Sequence, residues 1–437
     1  MPDKARPETA TLLPPIKVET LVNGGAGLAR HEGRVIFIPH TAAGDNVRCR
    51  ITKSKKHYAE AELVEIIEPA DQRRIPNCPV AGICGGCQWQ HLPYSEQLIW
   101  KNKLFRETLT RQCGVDPDRV LPIVPAPNEW NYRSRVQVKC HNSSAGFITG
   151  FYQSKSHSVV AIDSCPIIAA GLNGLLAELR QIFNQTPFAN QIHQFDLAID
   201  DEQKRSVTIH YPGENTDLLA EHLRAARLDA DLLIKMGAAN SLTTVQGSGV
   251  LQIQVDDPQL RLNYAAGSFA QVNLEQNRSL VATVLALANL SGKEDLVDLY
   301  CGMGNFSLPL ARMCGRITGI EESPASITFA RQNAIHNQIK NSSFLCAPAE
   351  KGLREILKHQ AIELILLDPP RQGATGVIKE ITQNPVSKLI YVSCDPQTLA
   401  RDLKQLIAHG YELISSQPFD MFPQTHHCES VTLLQRK

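Results

Sequence analysis

Asp298-Leu-Tyr-Cys-Gly-Met-Gly-Asn-Phe-Ser-Leu-Pro309 decides the fold, because an apolar strand here runs into a short glycine loop and then into a helix. In a parallel sheet that arrangement opens a crevice to a nucleotide-like ligand, and the missing Cβ at Gly302 and Gly304 lets the backbone approach it closely. A nicotinamide dinucleotide fingerprint wants a third glycine where Ser307 stands. A ligand without a pyrophosphate fits the shorter loop, and S-adenosylmethionine is one. The next apolar run ends Thr318-Gly-Ile-Glu321, which sets a carboxylate where it can accept both ribose hydroxyls.

Working outward, a helix is predicted over Asn277 to Leu290. Apolar strands are predicted at Asp295 to Tyr300, Arg316 to Ile320, Ile362 to Leu367 and Lys388 to Val392, with helical stretches between them. That alternation predicts a doubly wound α/β sheet, whose ligands bind beyond the carboxyl ends of the strands. The residues with chemistry fall at such ends. Asp368 stands in Leu367-Asp-Pro-Pro-Arg371 and Cys394 in Val392-Ser-Cys-Asp-Pro396. Glu429, in His426-His-Cys-Glu-Ser430, leads into a last strand at Val431 to Leu434.

A reactive cysteine and a carboxylate in one crevice suit methylation of carbon 5 of a pyrimidine. A thiolate adds at C6 and makes C5 nucleophilic, and a base later removes the C5 proton so that the thiolate leaves. Singly, each signal is weak: a strand-end cysteine is more often a small buried hydrophobe, and a glutamate before a strand is usually surface.

The 437 residues exceed one ordinary domain, and 43% hydrophobic with 20% charged residues reads as globular. No apolar run approaches the roughly 18 residues of a membrane span. The leader 1–15 is polar and Pro-rich, unlike a secretory signal, and is expected to be disordered. With 12 cysteines and no export signal, a reducing cytoplasm is expected. The 44 basic and 44 acidic residues cancel, so any nucleic-acid contact must come from local patches.

Residues 16–69 alternate as short strands, Ile16 to Val22 and Val35 to Ile38 among them, and suggest a small β-barrel. Between Arg48 and Tyr58 stand five lysines or arginines, including Lys53, Lys55 and Lys56, plus His57 and no acid. This is either a phosphate-contacting edge or a solvated hairpin. Pro69 to Pro76 reads as a linker, Tyr94 to Cys113 as a helix, and Trp130 to Ile162 as strands. A period of two puts Arg133, Arg135 and Lys139 on one face and Val136 and Val138 on the other. With Trp130 and Tyr132 beside them, the basic face suggests an RNA platform, against the plainer reading of solvated arginines on an amphipathic strand. From Gly171 to Tyr264 strand and helix signals alternate without an interpretable motif.

Cys78-Pro-Val-Ala-Gly-Ile-Cys84-Gly-Gly-Cys87 gathers three thiols in one glycine-containing loop, and Cys165, which also precedes a proline, is the candidate fourth. A lone upstream and a distant downstream cysteine around one close pair favour an iron–sulfur cluster over zinc, whose structural sites usually use two paired knuckles.

The stretch beginning Asp298-Leu-Tyr-Cys, Leu367-Asp-Pro-Pro-Arg, Tyr391-Val-Ser-Cys-Asp-Pro-Gln-Thr-Leu-Ala-Arg-Asp402 and Phe422-Pro-Gln-Thr-His-His-Cys-Glu-Ser430 together resemble the RNA uracil-5-methyltransferases. The N-terminal segment resembles a TRAM domain. With the four cysteines, it narrows the likeness to the branch that modifies 23S ribosomal RNA. The resemblance implies Cys394 as nucleophile and Glu429 as proton acceptor. It implies a methyl-donor pocket of Gln271, Tyr300, Asn305, Glu321 and Asp368 beside Gly302 and Gly304, and a four-iron four-sulfur cluster on Cys78, Cys84, Cys87 and Cys165. RNA is the implied partner, with no membrane and no obligate protein partner. The implied architecture is a TRAM β-barrel at 16–69, a central α+β domain with the cluster at 70–265, and a Rossmann-like class I methyltransferase domain at 266–437. Where relatives carry an asparagine near the adenine, this chain reads Ala347-Pro348.

Two rivals share parts of this pattern. RNA cytosine-5 methyltransferases usually carry a second cysteine beside the proline of the motif read here as Asp368-Pro-Pro370, and none is present. Radical methylthiotransferases need three cysteines spaced by three and two residues, which Cys78, Cys84 and Cys87 do not match. A non-catalytic RNA-binding protein would have no use for the Cys394 and Glu429 pair. Which RNA and which uridine are modified is not written in the sequence.

Overall fold

A computed structural model describes residues 11–144, 146–237, 241–256 and 259–437. The chain forms two compact units, one of residues 1–104 with 422–427 and the other of residues 105–421 with 428–437. Among the described residues no helix is long and apolar enough to cross a membrane.

In the first unit, β1 (Ile16–Leu21), β2 (Gly27–His31), β3 (Arg34–Ile38), β4 (Asn46–Ser54) and β5 (Tyr58–Glu68) close a barrel in the order β1-β2-β3-β5-β4. Alternate residues such as Val18, Ala29, Ile36, Ile38, Val47 and Ala59 fill it. Residues 1–10 of the expected leader lie outside the described residues. Thr11 to Leu13 belong to the barrel instead: the Leu13 amide donates to the Cys49 carbonyl at 2.9 Å, and the Leu13 side chain is buried.

The expected linker at Pro69 to Pro76 is likewise tied down. Asp45, fully buried, accepts from the amides of Ala42 and Ala70 at 2.6 and 2.9 Å and from Arg73 Nη1 at 2.5 Å. A buried carboxylate with three donors offsets its lost hydration, and here it fastens the segment to the barrel.

The helix predicted over Tyr94 to Cys113 is present as α1 (Tyr94–Cys113). In the second unit come β6 (Arg135–Ser143), β7 (Gly146–Tyr152), β8 (Val159–Ala161), α2 (Ala170–Phe183), β9 (Gln194–Ile199), β10 (Arg205–Tyr211), α3 (Thr216–Ala225), β11 (Asp231–Met236) and β12 (Ser241–Gln246). Their strands make a seven-stranded sheet in the order β12-β11-β10-β9-β6-β7-β8. On α2, Leu172, Leu175, Leu176, Leu179 and Phe183 recur at helical spacing and are all buried, each contributing roughly 1.5–3 kcal/mol by burial. The hairpin of β13 (Val250–Val255) and β14 (Leu260–Ala265) follows.

The remaining elements are α4 (Leu274–Ala288), β15 (Asp295–Leu299), α5 (Ser307–Ala311), β16 (Arg316–Glu321), α6 (Pro324–His336), β17 (Ser342–Cys346), α7 (Ala349–His359), β18 (Leu364–Leu367), α8 (Thr375–Gln383), β19 (Lys388–Ser393), α9 (Pro396–Ala408), β20 (Tyr411–Phe419) and β21 (Glu429–Arg436). The expected doubly wound sheet is present, in the order β17-β16-β15-β18-β19-β21-β20. Strands β15 to β19 run parallel, and β21 enters antiparallel between β19 and β20. Strand order reverses between β15 and β18, so the crevice for a ligand opens at their carboxyl ends. Two strands, β17 and β20, were not predicted. Helix α4 starts three residues before its predicted start because Asn273 caps it, its side chain accepting from the Gln276 amide at 3.2 Å.

Candidate active site

The glycine loop leaves β15 under backbone constraint. Tyr300, Gly302 and Gly304 all have positive φ, at 64°, 54° and 96°. A Cβ at Gly302 would meet nothing within 4 Å, so its backbone faces open space, as a close ligand requires. The loop is held from both sides. Tyr300 and Cys301 amides donate to the Ile320 carbonyl at 2.8 and 3.1 Å, and the Gly302 amide donates to Glu321 Oε2 at 3.3 Å. Glu321 Oε1 accepts from the Ser323 amide at 2.8 Å.

Asn305 forms a reciprocal amide pair with buried Asn277, at 2.8 and 3.1 Å, and so fastens the loop to α4. Gln271 is buried just ahead of that helix. Sequence reading misses Asn277, taking it for the helix start; a polar residue on the buried side of a helix is the available signal. It also gives Asp298 no role. That residue is fully buried and bonded to the Ser307 hydroxyl. Burial, against that hydrogen bond and reinforced by the charges of Asp368 and Glu321, pushes its carboxyl up to about 8.

Cys394 and Glu429 meet through strand register. Strand β19 pairs antiparallel with β21 so that Ser393 faces Ser430. Cys394 follows that rung directly after β19 ends, and Glu429, the first residue of β21, precedes it, so both lie at the same end of the sheet. Cys394 is half-buried, and Asp395 caps α9 directly after it by accepting from the Gln397 and Thr398 amides at 2.9 and 2.8 Å. Burial first, then the charges of Glu429 and Asp368, push the Cys394 thiol up to about 12, while Arg371 pulls it down. Glu429 is buried, and burial with the charge of Asp368 raises its carboxyl well above the usual range, again opposed by Arg371. Burial lifts Asp368 to about 7. The cluster is thus a thiol and two carboxyls that burial holds toward their neutral forms, with the exposed Arg371 favouring the anions of Cys394 and Glu429. Arg371 is visible in the sequence as part of its motif, but nothing there assigns it this role.

The expected RNA-contacting residues fare differently from one another. On β4, Arg48, Arg50 and Lys53 pair with Glu65, Glu62 and Glu60 of the neighbouring β5, at 2.7, 2.7 and 3.1 Å. The basic edge is thereby largely offset, and Lys55 and Lys56 at the hairpin tip keep the exposed positive charge. The face pattern of Arg133 to Lys139 holds, with Val136 and Val138 buried. Arg135, however, lies over the Tyr264 ring at 5.8 Å, and Tyr132 is buried and cannot stack a base. Lys139 bonds Gln194 and lies 5.1 Å from the Tyr152 ring. Arg133 donates to the Arg135 carbonyl at 3.0 Å.

In the cysteine loop, Cys78, Cys84 and Cys87 are half-buried. The Gly86 amide donates to Cys84 Sγ at 3.4 Å. Burial raises the Cys84 thiol, and the charge of Cys78 adds to this. Cys165 is fixed by Asn173, which accepts from its amide at 2.8 Å and donates to its carbonyl at 3.0 Å. Among the described residues, no group of three His, Cys, Asp or Glu side chains stands close enough to hold a metal ion.

A family model of tRNA (uracil-5-)-methyltransferases matches residues 94–437, and a TRAM domain model matches residues 15–64, which contain most of the barrel. The chain is 36% identical over 444 residues to an uncharacterized RNA methyltransferase of Thermosynechococcus vestitus, covering 96% of this chain and 97% of that protein. It is 33% identical to the 23S rRNA (uracil(1939)-C(5))-methyltransferase RlmD of Alkalilimnicola ehrlichii, covering 97% and 96%, and 33% identical to that of Shewanella amazonensis, covering 99% and 98%. Its fold is similar to the crystal structure of Pyrococcus abyssi tRNA (uracil-54, C5)-methyltransferase in complex with S-adenosyl-L-homocysteine, with a TM-score of 0.74 and 23% identity over 96% of this chain and all of that one.

Proposed function

Because the chain belongs to the tRNA (uracil-5-)-methyltransferase family, we propose that it methylates carbon 5 of one uridine in 23S ribosomal RNA through a covalent bond to Cys394. The observation that supports the chemistry is the β19 and β21 register, in which Ser393 faces Ser430, with Cys394 and Glu429 the residues adjoining that rung. The relatives named as 23S rRNA enzymes support the choice of RNA.

S-adenosylmethionine supplies an electrophilic methyl group. Gly302 offers open backbone, and Glu321 keeps lone pairs beyond its two amide donors, which suits the nucleoside part of that donor. The Cys394 thiolate adds to C6 of a uracil flipped from its stack. The C5–C6 double-bond electrons then go into an enolate at C4, and C5 attacks the methyl group as its bond to the donor sulfur breaks, the electron pair staying on that sulfur as a neutral thioether. Glu429 removes the C5 proton, the C5–C6 double bond re-forms, and the Cys394 thiolate departs. Arg371 favours the thiolate and the carboxylate that these steps need.

The exposed Lys55 and Lys56 are proposed to contact phosphates, as is the half-buried Arg133. The cysteine loop is proposed to take up a four-iron four-sulfur cluster, supported by three thiols within ten residues and the amide already directed at Cys84 Sγ. The fourth ligand, Cys165, rests on the sequence pattern. No catalytic step passes through the cluster. Mapping 5-methyluridine in ribosomal and transfer RNA from a strain lacking the gene tests the substrate: loss from 23S rRNA alone is expected, and loss from transfer RNA alone would overturn it.

A further inference from the structure

Asp402, on α9, is a fully buried carboxylate that the proposed chemistry does not use. It accepts three hydrogen bonds, from the Tyr391 hydroxyl at 2.8 Å, the Ala374 amide at 2.8 Å and Arg401 Nε at 2.9 Å, and Arg401 Nη2 stands 2.8 Å away as its ion-pair partner. Arg401 Nη2 also donates to the Gln372 carbonyl at 2.9 Å. The side chains of two adjacent residues thus grip the main chain on both sides of Gly373. That glycine has φ +78°, and a Cβ there would come within 2.4 Å of Arg401 Nη2 and 2.7 Å of Asp402 Oδ2, so the grip leaves no room for a side chain.

What this clamp holds is informative. The Gly373 amide donates to the Pro370 carbonyl at 2.8 Å, closing a four-residue turn in which Arg371 is the second residue. Tyr391 lies on β19, three residues before Cys394, and α9 begins two residues after it. Asp402 therefore joins the turn that carries Arg371, the strand that ends at Cys394 and the helix that follows it. A buried carboxylate with three donors and an ion-pair partner is a rigid junction, because losing any of them leaves a desolvated group unpaired.

We infer that Asp402 is a positioning residue for the nucleophile: it clamps the Pro370 to Gly373 turn, which carries Arg371, to the strand that ends at Cys394. The inference rests on the proposed role of Cys394. The charged groups acting on the thiol are Glu429 from β21 and Asp368 and Arg371 from the loop after β18; of these, Arg371 favours the thiolate, as does the backbone amide of Cys394 itself. Freeing the turn thus removes the charge that favours the reactive form.

The test reads the thiol directly. Alkylation of Cys394 by iodoacetamide at pH 8 is followed on its peptide by mass spectrometry in the full chain. Wild type is compared with Asp402→Asn, Arg371→Gln and the double variant. Loss of one neighbouring charge is worth about one pKa unit, so each single variant is expected to react roughly five- to tenfold more slowly, and the double variant no more slowly than either. Removing the charge of Asp402 by itself would favour a thiolate, so slowing in Asp402→Asn reports displacement of Arg371. Wild-type reactivity in Asp402→Asn, or multiplicative losses in the double variant, overturns the inference. Should Asp402→Asn fail to fold, Arg401→Gln releases the Gln372 carbonyl and gives the same readout. A wild-type enzyme that alkylates as expected but forms no adduct with 5-fluorouridine RNA would sink the covalent mechanism and leave the clamp standing.

Discussion

The Ser430 hydroxyl donates to the Ser393 carbonyl at 3.3 Å, across the rung where β19 and β21 face one another. Cys394 follows that rung where β19 ends and Glu429 precedes it where β21 begins, so the sheet brings the proposed nucleophile and the proposed base to the same end. Strand register is rigid wherever both strands are buried, and every residue of β21 from Glu429 to Leu434 is buried.

With 5-fluorouridine at the target, methyl transfer proceeds but Glu429 meets fluorine instead of a proton, and a protein–RNA adduct is expected on a denaturing gel. Cys394→Ala should give none. Glu429→Gln should accumulate adduct with ordinary uridine and turn over roughly 10²–10⁴ times more slowly, because an amide cannot take the proton. A Cys394→Ala enzyme that still methylates uridine would falsify the covalent route.

The basic positions should separate by their partners. Alanine at both Lys55 and Lys56 is expected to weaken RNA binding and lower its salt dependence by about one unit of slope for each phosphate no longer neutralised, as should Arg133→Ala. Lys53→Ala should do less, since its ammonium already pairs with Glu60 at 3.1 Å. Arg135→Ala should instead lower stability, by about 1–2 kcal/mol, because the guanidinium is packed over Tyr264. Equal binding losses at all four sites would contradict this division.

Features local in the chain were the readable ones. The glycine loop after β15, the carboxylate ending β16 and the cysteine ending β19 each announce themselves within a few residues, since an apolar run followed by a polar residue marks a strand end. Strand β17 escaped because it is an edge strand in which Phe344 alone is buried, leaving no apolar run. Strand β20 escaped because Ser415, Ser416 and Gln417 interrupt it, with a register shift between Leu413 and Ser415. The pairing of Arg48, Arg50 and Lys53 with β5 depends on cross-strand register, which composition does not carry. The hold of Asp402 on Gly373 spans nearly thirty residues and was equally invisible.

Protein purified without oxygen is expected to be brown, with broad absorbance near roughly 400 nm that Cys84→Ser abolishes, as thiolate-bound iron requires. Methyl transfer to a short RNA should survive better than folding or RNA binding when the cysteine is replaced. Colourless protein with stoichiometric zinc would defeat the iron–sulfur proposal.

Asp298 gives a pH signature. Its carboxyl, ordinarily near 3.8, is raised to about 8 by burial, and its Oδ1 has no hydrogen-bond partner among the described residues, as suits a carboxyl that keeps its proton. Below about pH 4 both folded and unfolded chains hold the proton, and the group has no effect on the balance. Between about pH 4 and 8 the unfolded chain releases it while the folded chain retains it, so stability contributed at low pH is lost as pH rises, by at most about 1.4 kcal/mol per pH unit. Asp298→Asn carries no titrating proton and can still accept from the Ser307 hydroxyl. Its melting temperature should therefore gain on that of wild type as pH climbs from 5 to 8, and the gap should stop widening above about 8. Thermal denaturation of both proteins at pH 5, 6.5, 8 and 9 reads this directly. A gap that stays constant across that range would mean that Asp298 is already ionised in the fold.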